Sequence, residues 1–185
     1  MADETPTNAL VVSSEKAVVN FSRKSQPDLE QIISSSKKLI YQNEEDATTY
    51  YNLGSAYFYQ KRYNHALACL KKSIQLRPDY ANTYNNLGSV YQRIGKEQQA
   101  VQAYKRAIRL DPDQPSSYYN LGSLFYRKND FDKAFGNYEK TIELDPEQAT
   151  AQYRLGRIYE RRDQVDQATL CYHQAIKLKP TLIQA

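Results

Sequence analysis

A 34-residue period runs through most of this chain and constrains its fold more than any other feature. When the sequence is aligned with itself at a shift of 34 residues, six columns are identical in four successive copies without an insertion. In the second copy these columns are Leu87, Gly88, Ala100, Ile108, Leu110 and Pro112. The period therefore divides the chain into repeats at 47–80, 81–114, 115–148 and 149–182.

Each repeat predicts two helices. In the second copy, segments 81–94 and 97–110 both carry apolar and aromatic residues at helical spacing. Gly95 marks the break between them, and Pro112 cannot continue the second helix. Because one helix pair cannot bury its apolar stripe alone, successive pairs must stack. We therefore predict an all-α fold, an α-solenoid of four helix-turn-helix units.

The repeated residues resemble the pattern of the tetratricopeptide repeat family. The second copy matches it with Tyr84, Leu87, Gly88, Tyr91, Ala100, Tyr104 and Pro112, and the third with Tyr118, Leu121, Gly122, Phe125, Ala134, Tyr138 and Pro146. Two departures are Gln152, in place of the first aromatic residue of the fourth copy, and Leu70, in place of the second-helix aromatic residue of the first. The resemblance implies a right-handed superhelix that recognises proteins on a concave surface lined by the first helix of each pair.

The two ends of the chain carry separate predictions. Residues 1–25 are polar and are expected to be a flexible leader, whereas 26–46 are expected to form a capping helix on the first repeat. Residues 183–185 are interpreted as the start of a fifth repeat or a tail. An apolar face of the last helix, including Leu170 and Ile176, is expected to be exposed. Either the array continues in a longer protein or this face binds another chain.

The charge distribution favours an acidic partner for the repeats. The net charge of the chain is +4. Residues 1–46 contain eight acidic and five basic side chains, a net of −3, while the remainder contains thirteen acidic and twenty basic ones, a net of +7. The repeats contain no block of Lys and Arg of the kind that would predict nucleic-acid binding.

The apolar runs of the sequence are too short to span a membrane. The two cysteines form no disulfide framework, which indicates a cytoplasmic protein.

Enzymatic and metal chemistry find no support in the sequence. His65 and His173 fall on second helices, and neither has Cys, Asp or Glu at the spacing of a metal site or a catalytic triad. Each Leu-Gly pair lies inside a predicted helix, so it cannot be a phosphate-binding loop. We expect no catalytic activity, no cofactor and no metal.

A polar row recurs on the first helices and is the candidate binding site. Its members lie three and seven residues apart, which places them on one helix face. They are Asn52, Asn86 and Asn120, then Ser55, Ser89 and Ser123, then Arg93 and Arg127, with Arg154, Arg157 and Arg161 in the fourth copy. The predicted groove is rich in amides in the middle and cationic at its C-terminal end.

The asparagines suggest a role because Asn is a poor residue for a helix interior. An amide can donate and accept at once, and so can hold the backbone of an extended peptide. The row resembles the asparagine ladder of O-linked N-acetylglucosamine transferase. The alternative is that these amides bond within the array or face water. For the arginines, the alternative to carboxylate binding is a solvated face with salt bridges, such as Arg157 with Glu160.

Aromatic residues beside the row are further candidates. About half of the 17 tyrosines occupy scaffold positions of the repeat, but Tyr51, Tyr119 and Tyr153 lie one residue later, rotated toward the groove. Asn85 is a fourth candidate, at a position that a chaperone-type carboxylate clamp would use. Both lysines of such a clamp are absent, which argues against it.

The sequence thus predicts a non-catalytic scaffold that binds an extended, acidic peptide segment. Two alternatives stay open. The first is an assembly factor that self-associates through the exposed face of its last helix. The second is a protein that binds single-stranded RNA, although base-reading side chains would vary from copy to copy, and here Asn and Ser recur.

Overall fold

The computed structural model describes residues 25–42 and 46–183, and within these ranges every regular element is a helix. The helices are α1 (Gln26–Tyr41), α2 (Ala47–Tyr59), α3 (Tyr63–Leu76), α4 (Ala81–Arg93), α5 (Glu97–Leu110), α6 (Pro115–Arg127), α7 (Phe131–Leu144), α8 (Ala149–Arg161) and α9 (Val165–Leu178), followed by a short 3-10 helix (Pro180–Ile183). The predicted all-α solenoid is confirmed. No helix of the described ranges is long and apolar enough to cross a membrane. The expected leader, except for Ser25, lies outside the described residues.

A tight turn joins the two helices of each repeat. One residue in each turn has a left-handed backbone, in the same register position: Lys61 (φ 60°), Gly95 (φ 76°), Asn129 (φ 58°) and Asp163 (φ 57°). The next amide bonds to a carbonyl five residues earlier, as Lys96 N does to Tyr91 O at 2.9 Å. Only Gly adopts this conformation without steric cost, so helix packing must enforce it in the other three turns.

The glycine of each Leu-Gly pair allows the two helices to approach. A Cβ atom on Gly88 would lie 2.6 Å from the ring of Tyr104, and one on Gly122 would lie 3.1 Å from the ring of Tyr138. Both tyrosine rings are fully buried. The ring of the second helix therefore occupies the space that any larger residue on the first helix would need.

The first helices line the inner side of the stack. Helix α2 approaches α4, and α4 approaches α6, whereas no pair of second helices in the described ranges approaches to the same extent. In these repeats the first helices therefore lie closer to one another than the second helices do. Helix α1 packs on α2 and buries Leu29 and Ile33. Residues 43–45 of the segment expected to form a capping helix lie outside the described residues.

Candidate functional site

The asparagine row forms hydrogen bonds between neighbouring first helices. Asn86 Nδ2 donates to Ser55 Oγ at 2.8 Å, and Asn120 Nδ2 donates to Asn85 Oδ1 at 3.0 Å. Asn52, at the start of the row, is buried. Each of the two bonds uses one hydrogen of an amide group that carries two. The amides thus hold successive repeats together, and Asn86 also forms a side-chain hydrogen bond with Tyr51.

Two members of the serine row face tyrosines of the second helices, whereas Ser55 is buried and donates to the carbonyl of Tyr51. Ser89 Oγ lies 3.2 Å from the hydroxyl of Tyr104, and Tyr138 donates to Ser123 Oγ, also at 3.2 Å. Burial raises the pKa of both Tyr104 and Tyr138 to about 12. Both phenols therefore remain protonated near neutral pH. The serines connect the inner surface to the core of their own repeat.

The candidate tyrosines differ in how much of the ring they expose. Tyr51 is only 8% exposed, because Tyr80 packs edge-on against it with ring centroids 5.3 Å apart. Tyr119 and Tyr153 are half-buried, and the ring centroid of each lies 5.8 Å from that of a second-helix tyrosine. The first of the three thus packs as a core residue, and the other two present part of their rings to the inner surface.

The arginine row is divided between ion pairs and aromatic contacts. Arg157 pairs with Glu160 at 3.4 Å and donates to the hydroxyl of Tyr153 at 3.2 Å, a hydrogen bond that raises the pKa of its guanidinium. The guanidinium of Arg154 lies 5.4 Å from the ring centroid of Tyr126. The salt bridge considered as an alternative for Arg157 therefore forms, whereas Arg154 contacts an aromatic face.

The remaining members of the row lie at the ends of their helices and are exposed. Arg127 pairs with Glu97 of the preceding repeat at 3.6 Å. Arg161 lies over Phe131 of the preceding repeat, 4.7 Å from the ring centroid. Arg93 is the third of these exposed arginines. The cationic end of the predicted groove is thus built from two successive repeats rather than from one helix face.

A cavity of about 560 Å³ opens beside Arg161, between the α6–α7 turn and the end of α8. It is lined by Lys128, Asn129, Asp130, Phe131, Asp132, Ile158, Arg161 and Arg162. Sequence reasoning selected only Arg161 of this group. The signal that could have revealed the others is an aromatic residue, Phe131, at the register position that holds an acid, Glu97, one repeat earlier.

Potential metal ligands do not gather in the described part of the chain, where no group of three or more His, Cys, Asp and Glu residues could hold an ion. Burial raises the pKa of the Cys69 thiol to about 11 and also raises that of Cys171. Both cysteines are free thiols, protonated near neutral pH.

Comparisons with known proteins agree with this architecture. Profiles described as tetratricopeptide or TPR repeats match residues 45–113, 103–135, 122–163 and 149–182. No curated protein matches the chain in sequence.

Solved structures extend the likeness to the whole array. Two structures of MamA are 29% and 30% identical to this chain, with TM-scores of 0.73 and 0.70; both matches cover 86% of this chain, and they cover 94% and 87% of MamA. YrrB, described as a TPR protein with an unusual peptide-binding site, is 22% identical with a TM-score of 0.66, over 85% of this chain and 81% of its own. The chain belongs to the tetratricopeptide repeat family.

Proposed function

We propose that this chain is a non-catalytic protein-interaction scaffold that binds an extended, acidic peptide segment along the surface formed by α2, α4, α6 and α8. Family membership supports an interaction module. YrrB, whose description names a peptide-binding site, provides a precedent within the same fold. A cytoplasmic location is part of the proposal and is supported by the free thiols of Cys69 and Cys171.

One observation carries the proposal: a row of polar groups crosses successive first helices in register. Asn86, Asn120 and Arg154 occupy the same position in three consecutive repeats. An amide group carries two hydrogens and an oxygen, so the atoms that these contacts leave unused can bond the backbone of an extended segment without reading its side chains. Guanidinium groups suit carboxylates, since their donors form a planar fork. The row therefore matches a neutral backbone in the middle and acidic side chains toward α8.

A peptide-library selection tests this proposal. Wild type is compared with an Asn86→Ala/Asn120→Ala double variant, and with a Gln98→Ala/Gln102→Ala control that removes two exposed amides from α5. We expect wild type and the control to enrich the same acidic sequences and the double variant to lose them. Because Asn86 and Asn120 also bond neighbouring repeats, circular dichroism must show that the double variant is folded. Equal enrichment by all three proteins would refute the role of the amides.

Self-association is the second candidate, and the apolar surface of α9 favours it. Val165 and Leu170 are 70% and 62% exposed on this helix. Burial of such side chains against a second copy would be favourable. Sedimentation velocity over a concentration series tests this, with Leu170→Glu as the variant. We expect wild type to dimerise and the variant to stay monomeric; a wild type that is monomeric at every concentration contradicts self-association.

A further inference from the structure

Two successive junctions of the array differ at one register position, the first residue of the second helix. Between the second and third repeats this residue is Glu97. Its carboxylate lies 3.6 Å from the guanidinium of Arg127 and 3.7 Å from the ammonium of Lys128, both at the end of α6. The two cations of this junction therefore share one acid from the preceding repeat, which offsets one of their two positive charges.

The next junction has no such acid at that position. Phe131 replaces it, while Arg161 and Arg162 replace the two cations. Arg162 has its own partner, because it pairs with Asp132 at 2.6 Å and lies over Phe135. Arg161 lies over the ring of Phe131, and no ion pair of Arg161 is found among the described residues. The exchange of an acid for an aromatic ring leaves this guanidinium uncompensated.

The ion pairs of the charged residues that line the cavity also single out Arg161. Lys128 is paired with Glu97, and Asp130 is paired with Lys133 at 2.6 Å. Asp132 and Arg162 neutralise each other through their ion pair. Arg161 is the charge that remains. A guanidinium held on an aromatic face keeps its N–H groups available at its edge, where a carboxylate can bind them side by side.

We propose that this cavity, here named the Arg161 cavity, binds a carboxylate of the peptide, which takes the place that Glu97 holds one repeat earlier. The inference deepens the proposed function and rests on it, since the carboxylate belongs to the acidic segment in the groove. Asp130 and Asp132 at the wall disfavour a dianion, so a carboxylate suits the site better than a phosphate. The acidic segment is thus anchored beside the α6–α7 turn.

NMR titrations of the arginine side-chain Nε–H signals test the Arg161 cavity with small probes that do not need the groove. N-acetylglutamate α-amide carries a side-chain carboxylate, N-acetylglycine carries a terminal one, and N-acetylglutamine amide is the neutral control. We expect both carboxylates to shift the Arg161 signal, assigned with Arg161→Lys, and the neutral probe to leave it in place. The probe that saturates at the lower concentration identifies the source of the carboxylate.

Two matched variants exchange the residue types, Glu and Phe, at the first position of the second helix in the two junctions. Phe131→Glu supplies an internal carboxylate and is expected to weaken probe binding at Arg161 about tenfold. Glu97→Phe removes the acid from the preceding junction and is expected to make the Arg127 signal respond to the same probes. Arg161→Gln, at an exposed position, should leave the fold intact but removes the reporter group, so probe binding to this variant is followed through the Nε–H signal of Arg162 in the same cavity, which should respond to the carboxylates in wild type and no longer in the variant.

The proposal is overturned if neither carboxylate shifts the Arg161 signal, if the neutral probe shifts it equally, or if Phe131→Glu and Arg161→Gln both leave binding unchanged. Failure of the peptide selection is a separate result, because the Asn86→Ala/Asn120→Ala variant should titrate with the small probes like wild type. A failed selection with a positive titration rejects the amide row and retains the Arg161 cavity.

Discussion

The second and third repeats share the same scaffold but present different side chains to the repeat that follows. In both, a buried tyrosine packs against a glycine of the first helix. In the second repeat, Glu97 pairs with both cations at the end of α6, whereas in the third Phe131 leaves Arg161 without an ion pair among the described residues. The residues that recur with the period form the shared scaffold, and a residue that departs from it, here Phe131, distinguishes the surface of one repeat from that of the next.

This departure costs the protein little stability. Exposed ion pairs stabilise a fold by only about 0–1 kcal/mol, and both Glu97 and Arg127 are substantially exposed. The glycine positions, in contrast, are surrounded by ring atoms. Changes at equivalent positions of the two repeats, first in the shared core and then at the surface, should therefore have effects of very different size.

The largest effect is expected at the helix crossing. Gly88→Ala places a Cβ 2.6 Å from the fully buried ring of Tyr104 and should lower the free energy of unfolding by about 3 kcal/mol, at the upper end of overpacking costs. Gly122→Ala, whose Cβ would meet Tyr138 at 3.1 Å, should cost less. Urea titrations measure both. Equal losses would mean that the two crossings are equally tight.

The buried tyrosines predict a loss of stability at alkaline pH. In the unfolded chain a tyrosine ionises with a pKa near 10, but the pKa of Tyr104 and of Tyr138 is about 12 in the fold. Between these values the unfolded state binds fewer protons, so the free energy of unfolding falls as the pH rises, by up to about 1.4 kcal/mol per pH unit for each tyrosine.

Tyr104→Phe and Tyr138→Phe should each remove one such contribution. Urea titrations at pH 9, 10 and 11 measure the slope. If both variants keep the wild-type slope, other groups control the alkaline transition.

Gly136 should be replaceable with a gain in stability. It lies inside α7, where an added Cβ would meet no heavy atom of a neighbouring element within 4 Å, and its counterpart in the second repeat is Gln102. Gly136→Ala should raise the free energy of unfolding by about 1 kcal/mol, the difference in helix propensity. Gln102→Gly is the matched reverse change and should lower it. A loss of stability in Gly136→Ala would show that the site is not open.

The smallest effect is expected for the ion pair itself. Glu97→Gln should change the free energy of unfolding by at most about 0.5 kcal/mol. The difference from wild type should vanish in about 1 M NaCl, since salt screens exposed charges. Thermal unfolding at low and high salt provides the measurement. A large, salt-independent loss would indicate that Glu97 supports the fold through contacts other than charge.

The period predicts the helices because each constraint acts within one repeat. Gly95 opens the turn, Pro112 lies just beyond the end of α5, and Gly88 makes room for the ring of Tyr104 on the second helix of the same repeat. All of these can be read from local spacing. Tyr51 shows the limit of such reasoning, because its register places it beside the groove, but Tyr80, at the boundary with the next repeat, covers it.

The site is harder to predict because it depends on contacts between repeats. The helix face predicts Arg161 as a site residue, but Phe131, which it contacts, belongs to the second helix of the preceding repeat. The pairing of Arg127 with Glu97 crosses the previous junction in the same way. Such contacts follow from how one pair stacks on the next, and helix spacing alone does not determine them.

The hydrogen bonds of Asn86 and Asn120 would also couple the binding of a ligand to the spacing of the repeats. Each amide spans two first helices. A ligand that takes the hydrogen already used must break a link between repeats and make the solenoid more extensible. A ligand that takes an amide hydrogen not used in the link leaves the link in place and adds a further restraint at the inner edge. The spacing of the repeats would then differ between these two modes of occupancy, so the elasticity of the solenoid itself distinguishes them.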